Sequence, residues 1–331
     1  MLRLYRDSTH PLADASLKEF PREVIWIDLV SPTDDEKNLV EKRTGVNIPS
    51  VEALSEIESS SRLAVDRDII TLSTPVVAQG DDPDAFLSPV GFILTKRFIV
   101  SIRFAELTAF TSVADLIRGD EHLRTSSGVF IALLEAFVDR GADVLERLGA
   151  DLDKVSRSVF RGDVSQRRHT VRSNRSLRRV LSIVGATGDR LSLARDALLG
   201  FGRIAHFGAT LEQDWFEPEF KARLAAIAKD VGSLNDYEGQ LSNKVQFLLD
   251  AVLGFISIEQ NDLFRVLTIV SVVGIPPTLV AGIYGMNFRF MPELAWSWGY
   301  PFVLAVIVLS AVLPLAWFKW RGWLNDAGPR A

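Results

Sequence analysis

Two long uncharged stretches near the C-terminus, residues 266–288 and 294–318, lie only a short turn apart. A helical run of about 23 residues at 1.5 Å rise covers about 34 Å, enough to cross a hydrocarbon layer of about 30 Å. A soluble core helix rarely needs that length, so the C-terminal fifth of the chain is expected to sit in a membrane. The remaining residues carry most of the charge and are expected to fold in water. Together these features predict an α+β membrane protein: an N-terminal α/β domain over residues 1–125, a helical stalk over 126–262, and a two-helix transmembrane domain with a short tail over 263–331.

Composition removes several alternatives. The net charge of −5 argues against a protein that grips nucleic acid phosphates, so no nucleic acid partner is expected. No cysteine is present, which excludes disulfides and thiolate metal sites. His10, His122, His169 and His206 stand far apart without ligand spacing, and no cofactor or transition-metal centre is predicted. Residues 1–20 hold Arg3, Arg6, Asp7, Asp14, Lys18 and Glu19 with no apolar segment, so no signal peptide is expected. Arg265 precedes the first span and Lys319 and Arg321 follow the second, while the connecting turn holds Arg289 and Glu293. That distribution predicts an inner-membrane, multi-pass protein with both termini cytoplasmic and the turn outside.

In the first 125 residues, short β-branched and aromatic runs at 2–5, 24–29, 69–77, 90–94 and 98–102 read as strands of a mixed sheet. Thr33 and Glu36 have capping-box spacing and open a helix. The segment Gly80-Asp81-Asp82-Pro83-Asp84 favours a solvated turn, with a hard-cation site as the alternative. Three long helices are predicted beyond residue 125, at about 126–160, 165–204 and 217–288. The arginines between Arg167 and Arg179 on the second suit a solvated face, or else anionic lipid headgroups. No proline occurs between Pro218 and Pro276, which permits an unbroken helix of about 85 Å running into the first span. Its apolar seam, from Leu224, Ile227 and Val231 to Leu241, Leu248 and Val252, is interrupted by Glu238. That seam suits packing within the chain or between copies of it.

Advancing 100° per residue places Asn261, Phe264, Thr268, Ser271, Ile275, Thr278 and Gly282 within a sector of about 100° on the first span. A helix facing only lipid has no reason to align these polar and small residues. Close helix packing and an aqueous path both account for them, and Asn261 and Asn287 at the two ends favour the path. One such helix cannot enclose a pore, so conduction requires a homo-oligomer. The second span, bulky and apolar with Trp296, Trp298 and Tyr300 at one end and Trp317, Trp320 and Trp323 at the other, suits a lipid-facing role.

Tyr284-Gly285-Met286-Asn287-Phe288, followed by Met291-Pro292-Glu293-Leu294 and Trp298-Gly299-Tyr300-Pro301, strongly resembles the signature of CorA-type magnesium transporters. The resemblance implies a homopentamer in the lipid bilayer, with the long helix lining a passive pore for divalent cations. Mg2+ is the first expected ion, with Co2+ and Ni2+ alongside. Gly285, Met286 and Asn287 are then the selectivity filter, Asn261, Thr278 and Gly282 polar stations, Phe264 and Ile275 constrictions, and Glu293 an outer cation attractor. Mg2+ sheds water reluctantly, so neutral amide and carbonyl oxygens facing a hydrated ion make chemical sense. Gly285 is expected to take a positive φ and expose its carbonyl, or to cap the helix ahead of a left-handed Asn287. No ionisable side chain lies within either span, so neither a proton relay nor an enzymatic phosphointermediate is expected.

The family's regulatory Mg2+ site has no direct counterpart, because the matching stalk reads Leu224-Ala225-Ala226-Ile227. Asp230 paired with Asp82 or Asp84 is the candidate replacement. Rival readings are a zinc transporter of the same superfamily, possibly proton-coupled, and a membrane-anchored scaffold or sensor.

Overall fold

The computed structural model describes residues 1–6, 12–13, 24–56, 58, 62–79, 84–160, 170–287 and 291–324. The chain falls into two compact units, Met1–Leu249 and Asp250–Ala331, each taken in turn.

The first unit is built on seven strands: β1 (Leu2–Arg6), β2 (Leu12–Ala13), β3 (Val24–Val30), β4 (Leu63–Asp66), β5 (Ile69–Ala78), β6 (Phe86–Leu94) and β7 (Ile99–Arg103). They pair in the order β2-β1-β3-β7-β6-β5-β4, and β3 with β7 is the one parallel pairing among them. The mixed sheet expected from the apolar runs is present, and two strands too short or too polar to announce themselves, β2 and β4, extend its edges. Pro75 and Pro89 face each other across β5 and β6. Each is tolerated because the next strand outward has already ended: β4 pairs no further than Leu72, and β7 no further than Val90.

Strand alternation sends side chains to two cores. On one face Ile27, Leu29, Ile93, Val100 and Ile102 pack with Val40 of α1 (Asp34–Thr44) and Leu54 of α2 (Val51–Ser55). The capping box at α1 forms as its spacing implies: the Glu36 amide donates to Thr33 Oγ1 at 3.3 Å, and the Thr33 amide to Glu36 Oε2 at 3.0 Å. Gly45, at φ 75°, ends the helix in the left-handed region.

The other face meets α3 (Thr108–Gly119), α4 (Ser126–Phe160) and α5 (Thr170–Thr210). Phe92, Phe130, Phe110, Phe137 and Phe201 form a chain of ring contacts from sheet to helices. Beneath them lies a buried polar group that no local pattern advertises. Asp28 and Arg103, both fully buried, pair at 2.9 Å, and Ser101 Oγ donates to Asp28 Oδ1 at 2.8 Å. Trp26 Nε1 donates to Ser101 Oγ at 2.8 Å, and Arg103 Nη1 reaches Ala105 O and Glu106 Oε2, each at 2.9 Å. The hydrogen bond from Arg103 holds the Glu106 carboxyl below its ordinary range.

The long helix α6 runs Pro218–Tyr284 without a break. Its seam residues Leu224, Ile227, Val231, Leu241 and Leu248 are buried within the chain, so packing inside one subunit already uses this part of the seam. Glu238, which interrupts it, is buried and satisfied: Ser242 Oγ donates to Oε1 at 2.6 Å, and Arg195 approaches Oε2 at 4.0 Å. Arg223 reaches Glu135 with two bonds, of 3.0 and 2.6 Å, and Lys244 pairs with Asp153, tying α6 to α4.

The second unit holds the C-terminal part of α6, a short 3-10 turn at Pro292–Ala295, and α7 (Gly299–Trp320). Among the described residues α6 and α7 are the helices long and apolar enough to cross a membrane. Prolines 276 and 277 do not end α6. Lacking N–H groups, they leave the carbonyls of Val272 and Val273 without the usual i+4 donor, a freedom that membrane helices use where other partners are at hand.

Candidate functional site

The candidate stripe lies along the C-terminal half of α6. Asn261, Phe264, Thr268, Ile275, Thr278 and Gly282 are exposed, and Ser271 is half-buried. The half-buried positions Ile269, Val273, Pro276, Val280 and Tyr284 recur at three-four spacing and form the covered row. At 100° per residue the centres of the two rows stand roughly 150° apart. The polar stripe therefore looks away from whatever this subunit packs against the helix, and glue between α6 and α7 of one chain does not explain it.

The hydroxyls on the stripe have a defined orientation. Thr268 Oγ1 donates to Phe264 O and Thr278 Oγ1 to Gly274 O, both at 2.8 Å. Each hydroxyl hydrogen is thus committed to the helix's own backbone, leaving the oxygen lone pairs outward as acceptors. Acceptors without competing donors suit the water hydrogens of a hydrated cation. Phe264 and Ile275, 65% and 63% exposed, are the bulky members. A Cβ added at Gly282 would meet nothing within 4 Å, so its missing side chain opens space outside the subunit rather than within it.

At the end of the stripe the helix closes without the expected left-handed residue. The Gly285 amide donates to Ala281 O at 2.9 Å and the Met286 amide to Ile283 O at 3.2 Å. Neither Gly285 nor Asn287 has a positive φ. The expected positive φ at Gly285 and left-handed cap at Asn287 are corrected accordingly: an α-type bond followed by a tighter 3-10 bond lets the chain leave the helix in right-handed space. Met286 and Asn287 are exposed beyond it.

Glu293, also exposed, sits in the 3-10 turn. Gly299, which is absent from the predicted site residues, controls that turn: a Cβ there would lie 2.2 Å from Glu293 O. A second residue outside the predicted set is Glu259, just before Asn261, whose two carboxylate oxygens are buried without a hydrogen-bond partner among the described residues. No spacing rule distinguishes it from an ordinary solvated glutamate.

Of the regulatory candidates, Asp84 and Asp230 are among the described residues. Asp82 lies outside the described residues, and Asp84 is exposed in a turn. Asp230 acts instead on α4: burial first, then the charges of Glu135, Asp143 and Asp230, raise the Asp139 carboxyl above its ordinary range. Among the described residues no group of three or more His, Asp or Glu side chains is arranged to hold a metal ion.

The family model described as "CorA-like Mg2+ transporter protein" matches residues 21–320. The magnesium transport protein CorA of Haemophilus influenzae is 31% identical over 301 residues, covering 91% of this chain and 92% of the relative. That of Salmonella typhimurium is 32% identical over 313 residues with the same coverage. Among solved structures, the CorA magnesium transporter from Methanocaldococcus jannaschii superposes with a TM-score of 0.76 at 18% identity, covering 98% of this chain and 99% of that one. The full-length CmaX protein gives a TM-score of 0.71 at 16% identity, covering 97% and 96%. At these identities the superpositions speak to the fold alone.

Proposed function

Since this chain belongs to the CorA-like Mg2+ transporter family, a family of transporters and not of enzymes, we propose that five copies of it surround a central path through which hydrated Mg2+ crosses the inner membrane. The observation that carries this reading is the placement of the polar stripe on the side of α6 that its own chain leaves uncovered. Repeated around an axis, that side supplies rings of hydroxyl oxygens at Thr268 and Thr278, space at Gly282, and bulky constrictions at Phe264 and Ile275 that gate by excluding water.

Asn287 at the outer mouth offers one neutral amide oxygen per subunit to the waters of the ion, without the deep trap that a ring of carboxylates makes. Gly285 and Met286 shape the filter, and Glu293 raises the local cation concentration outside. Both termini face the cytoplasm, following the basic residues at the inner ends of the spans. A potential of 100 mV gives a dication about 4.6 kcal/mol, more than a thousandfold at equilibrium, so no nucleotide is required. Co2+ and Ni2+, of similar hydrated form, pass by the same oxygens.

The test is reconstitution of the full-length protein in liposomes loaded with a Mg2+ indicator. A negative-inside potassium diffusion potential should drive Mg2+ entry, and dissipating it should slow that entry. Native mass measurement in parallel should give five subunits. Mg2+ uptake indifferent to the potential would overturn the potential-driven mechanism, and Zn2+ entry that follows an imposed pH gradient would overturn the proposal in favour of the proton-coupled zinc reading. No flux of any divalent ion would leave a membrane-anchored scaffold.

A further inference from the structure

A cavity of about 460 Å³ opens in the first unit, where the C-terminal half of α5 crosses β5 and β6. Close packing of backbone against side chain sets its position. A Cβ at Gly200 would lie 2.0 Å from Thr74 Oγ1, so the helix rests directly on the strand at that point. Asp196 and Arg203 sit one turn to either side of Gly200, on the same helix face, about 10 Å apart along the axis. Both line the cavity, with Pro75, Pro89 and Leu87 as apolar walls.

Arg62, just ahead of β4, donates from Nε to the Glu56 carbonyl and also lines the cavity. Neither Arg203 nor Asp196 makes a hydrogen bond or ion pair among the described residues, and Asp196 does not close an ion pair with either guanidinium. Desolvation, and next the positive charge of Arg203, weaken the hold of Arg62 on its proton; Asp196 offsets this only in part. Among the described residues, two cations thus line one space with a single, unengaged carboxylate.

We infer that this cavity is a binding site for a small phosphorylated organic anion of nucleoside monophosphate type. A carboxylate has two coplanar oxygens and is satisfied by one guanidinium fork, whereas a phosphate can take two forks from different directions, as Arg62 and Arg203 supply them. Asp196, one helical turn before Gly200 and so about 10 Å along the axis from Arg203, is an acceptor suited to a ribose hydroxyl and unsuited to a second anionic group. The proline and leucine walls accept a flat, weakly polar moiety, and the volume matches that of sites for ligands of this size. This inference is independent of ion conduction.

The test is calorimetric titration of the full-length protein in detergent at constant Mg2+, with AMP, inorganic phosphate, adenosine and citrate as probes. AMP should bind with a dissociation constant below about 1 mM, more tightly than inorganic phosphate, adenosine or citrate. Arg203→Gln, at an exposed position whose loss should not alter the thermal midpoint, should weaken AMP by about tenfold. Asp196→Asn should weaken AMP by about fivefold, without weakening inorganic phosphate. No AMP binding in the millimolar range overturns the inference. So does unchanged AMP affinity in Arg203→Gln, or citrate or phosphate binding as tightly as AMP, the mark of a generic anion patch.

Discussion

The two units use the same apolar residues in opposite ways. In Met1–Leu249, Leu133, Leu145, Leu148 and Leu152 of α4 are buried, and the buried charge of Asp28 enters the core with Arg103 and Ser101 as its partners. In Asp250–Ala331, Leu304, Val308 and Leu313 of α7 are exposed, and Gly299 and Phe318 are its buried members. The first unit completes its core alone. The second is an unfinished surface which, on the proposed reading, lipid completes over its apolar part and water and other copies of the chain complete along its polar stripe. A continuous exposed apolar face would thus be a fault in a unit that folds in water and is the ordinary state of a membrane-spanning helix, because the surrounding medium differs.

Substitutions that separate folding from conduction test this contrast. The largest effect is expected at Asp28→Ala, which removes the buried partner of Arg103 and leaves it the exposed Glu106 as counter-charge: a loss of about 3 kcal/mol, seen as a lower midpoint in thermal unfolding and faster amide exchange in β3 and β7. An unchanged midpoint would mean that Glu106 alone satisfies the buried guanidinium. Next comes Asn287→Ala, which should cut Mg2+ uptake in liposomes on the order of tenfold, about 1.4 kcal/mol, with the thermal midpoint preserved; unaltered uptake would remove Asn287 from the path.

Gly282→Ala adds a methyl group where the subunit itself has open space. It should slow uptake about two- to threefold, about 0.5 kcal/mol, while Val308→Ala on the lipid-facing helix should leave uptake alone. Equal effects of the two would erase the distinction between the stripe and the rest of the span. The smallest effect belongs to Asp139, whose carboxyl titrates above its ordinary value because of burial and then the neighbouring acids. The folded state holds that proton more tightly than the unfolded chain, so stability is greatest below the unfolded value and falls as pH rises through the raised folded one. Asp139→Asn should flatten that decline in a pH series of melting midpoints; an unaltered slope would show that neither burial nor the neighbouring acids raise the Asp139 carboxyl.

Much of this is legible in the residues, for reasons that are local. The α1 capping box follows from Thr33 and Glu36 standing three apart, and α4 from three-four spacing of apolar side chains over 126–160. The rotational phase of Asn261, Thr268 and Thr278 is arithmetic on a helix of known pitch and needs no knowledge of what packs around it. Strands β2 and β4 are not legible in this way, because they are short edges whose pairing, not their composition, makes them strands. The cap at Gly285 departs from expectation because glycine permits a positive φ without requiring one.

By itself the sequence determined that two segments are long and apolar enough to cross a membrane, that a long helix leads into the first, and that a polar stripe runs along it. Each rests on length, charge or periodicity within one continuous stretch. Tertiary structure decided which side of α6 its own chain leaves uncovered, that Asp28 meets Arg103 across 75 positions, and that Gly200 sets α5 on Thr74 beside a cavity lined by two arginines. Those facts depend on contacts between distant segments, which the spacing of residues along one element does not encode, because folding selects partners through the packing of the whole domain.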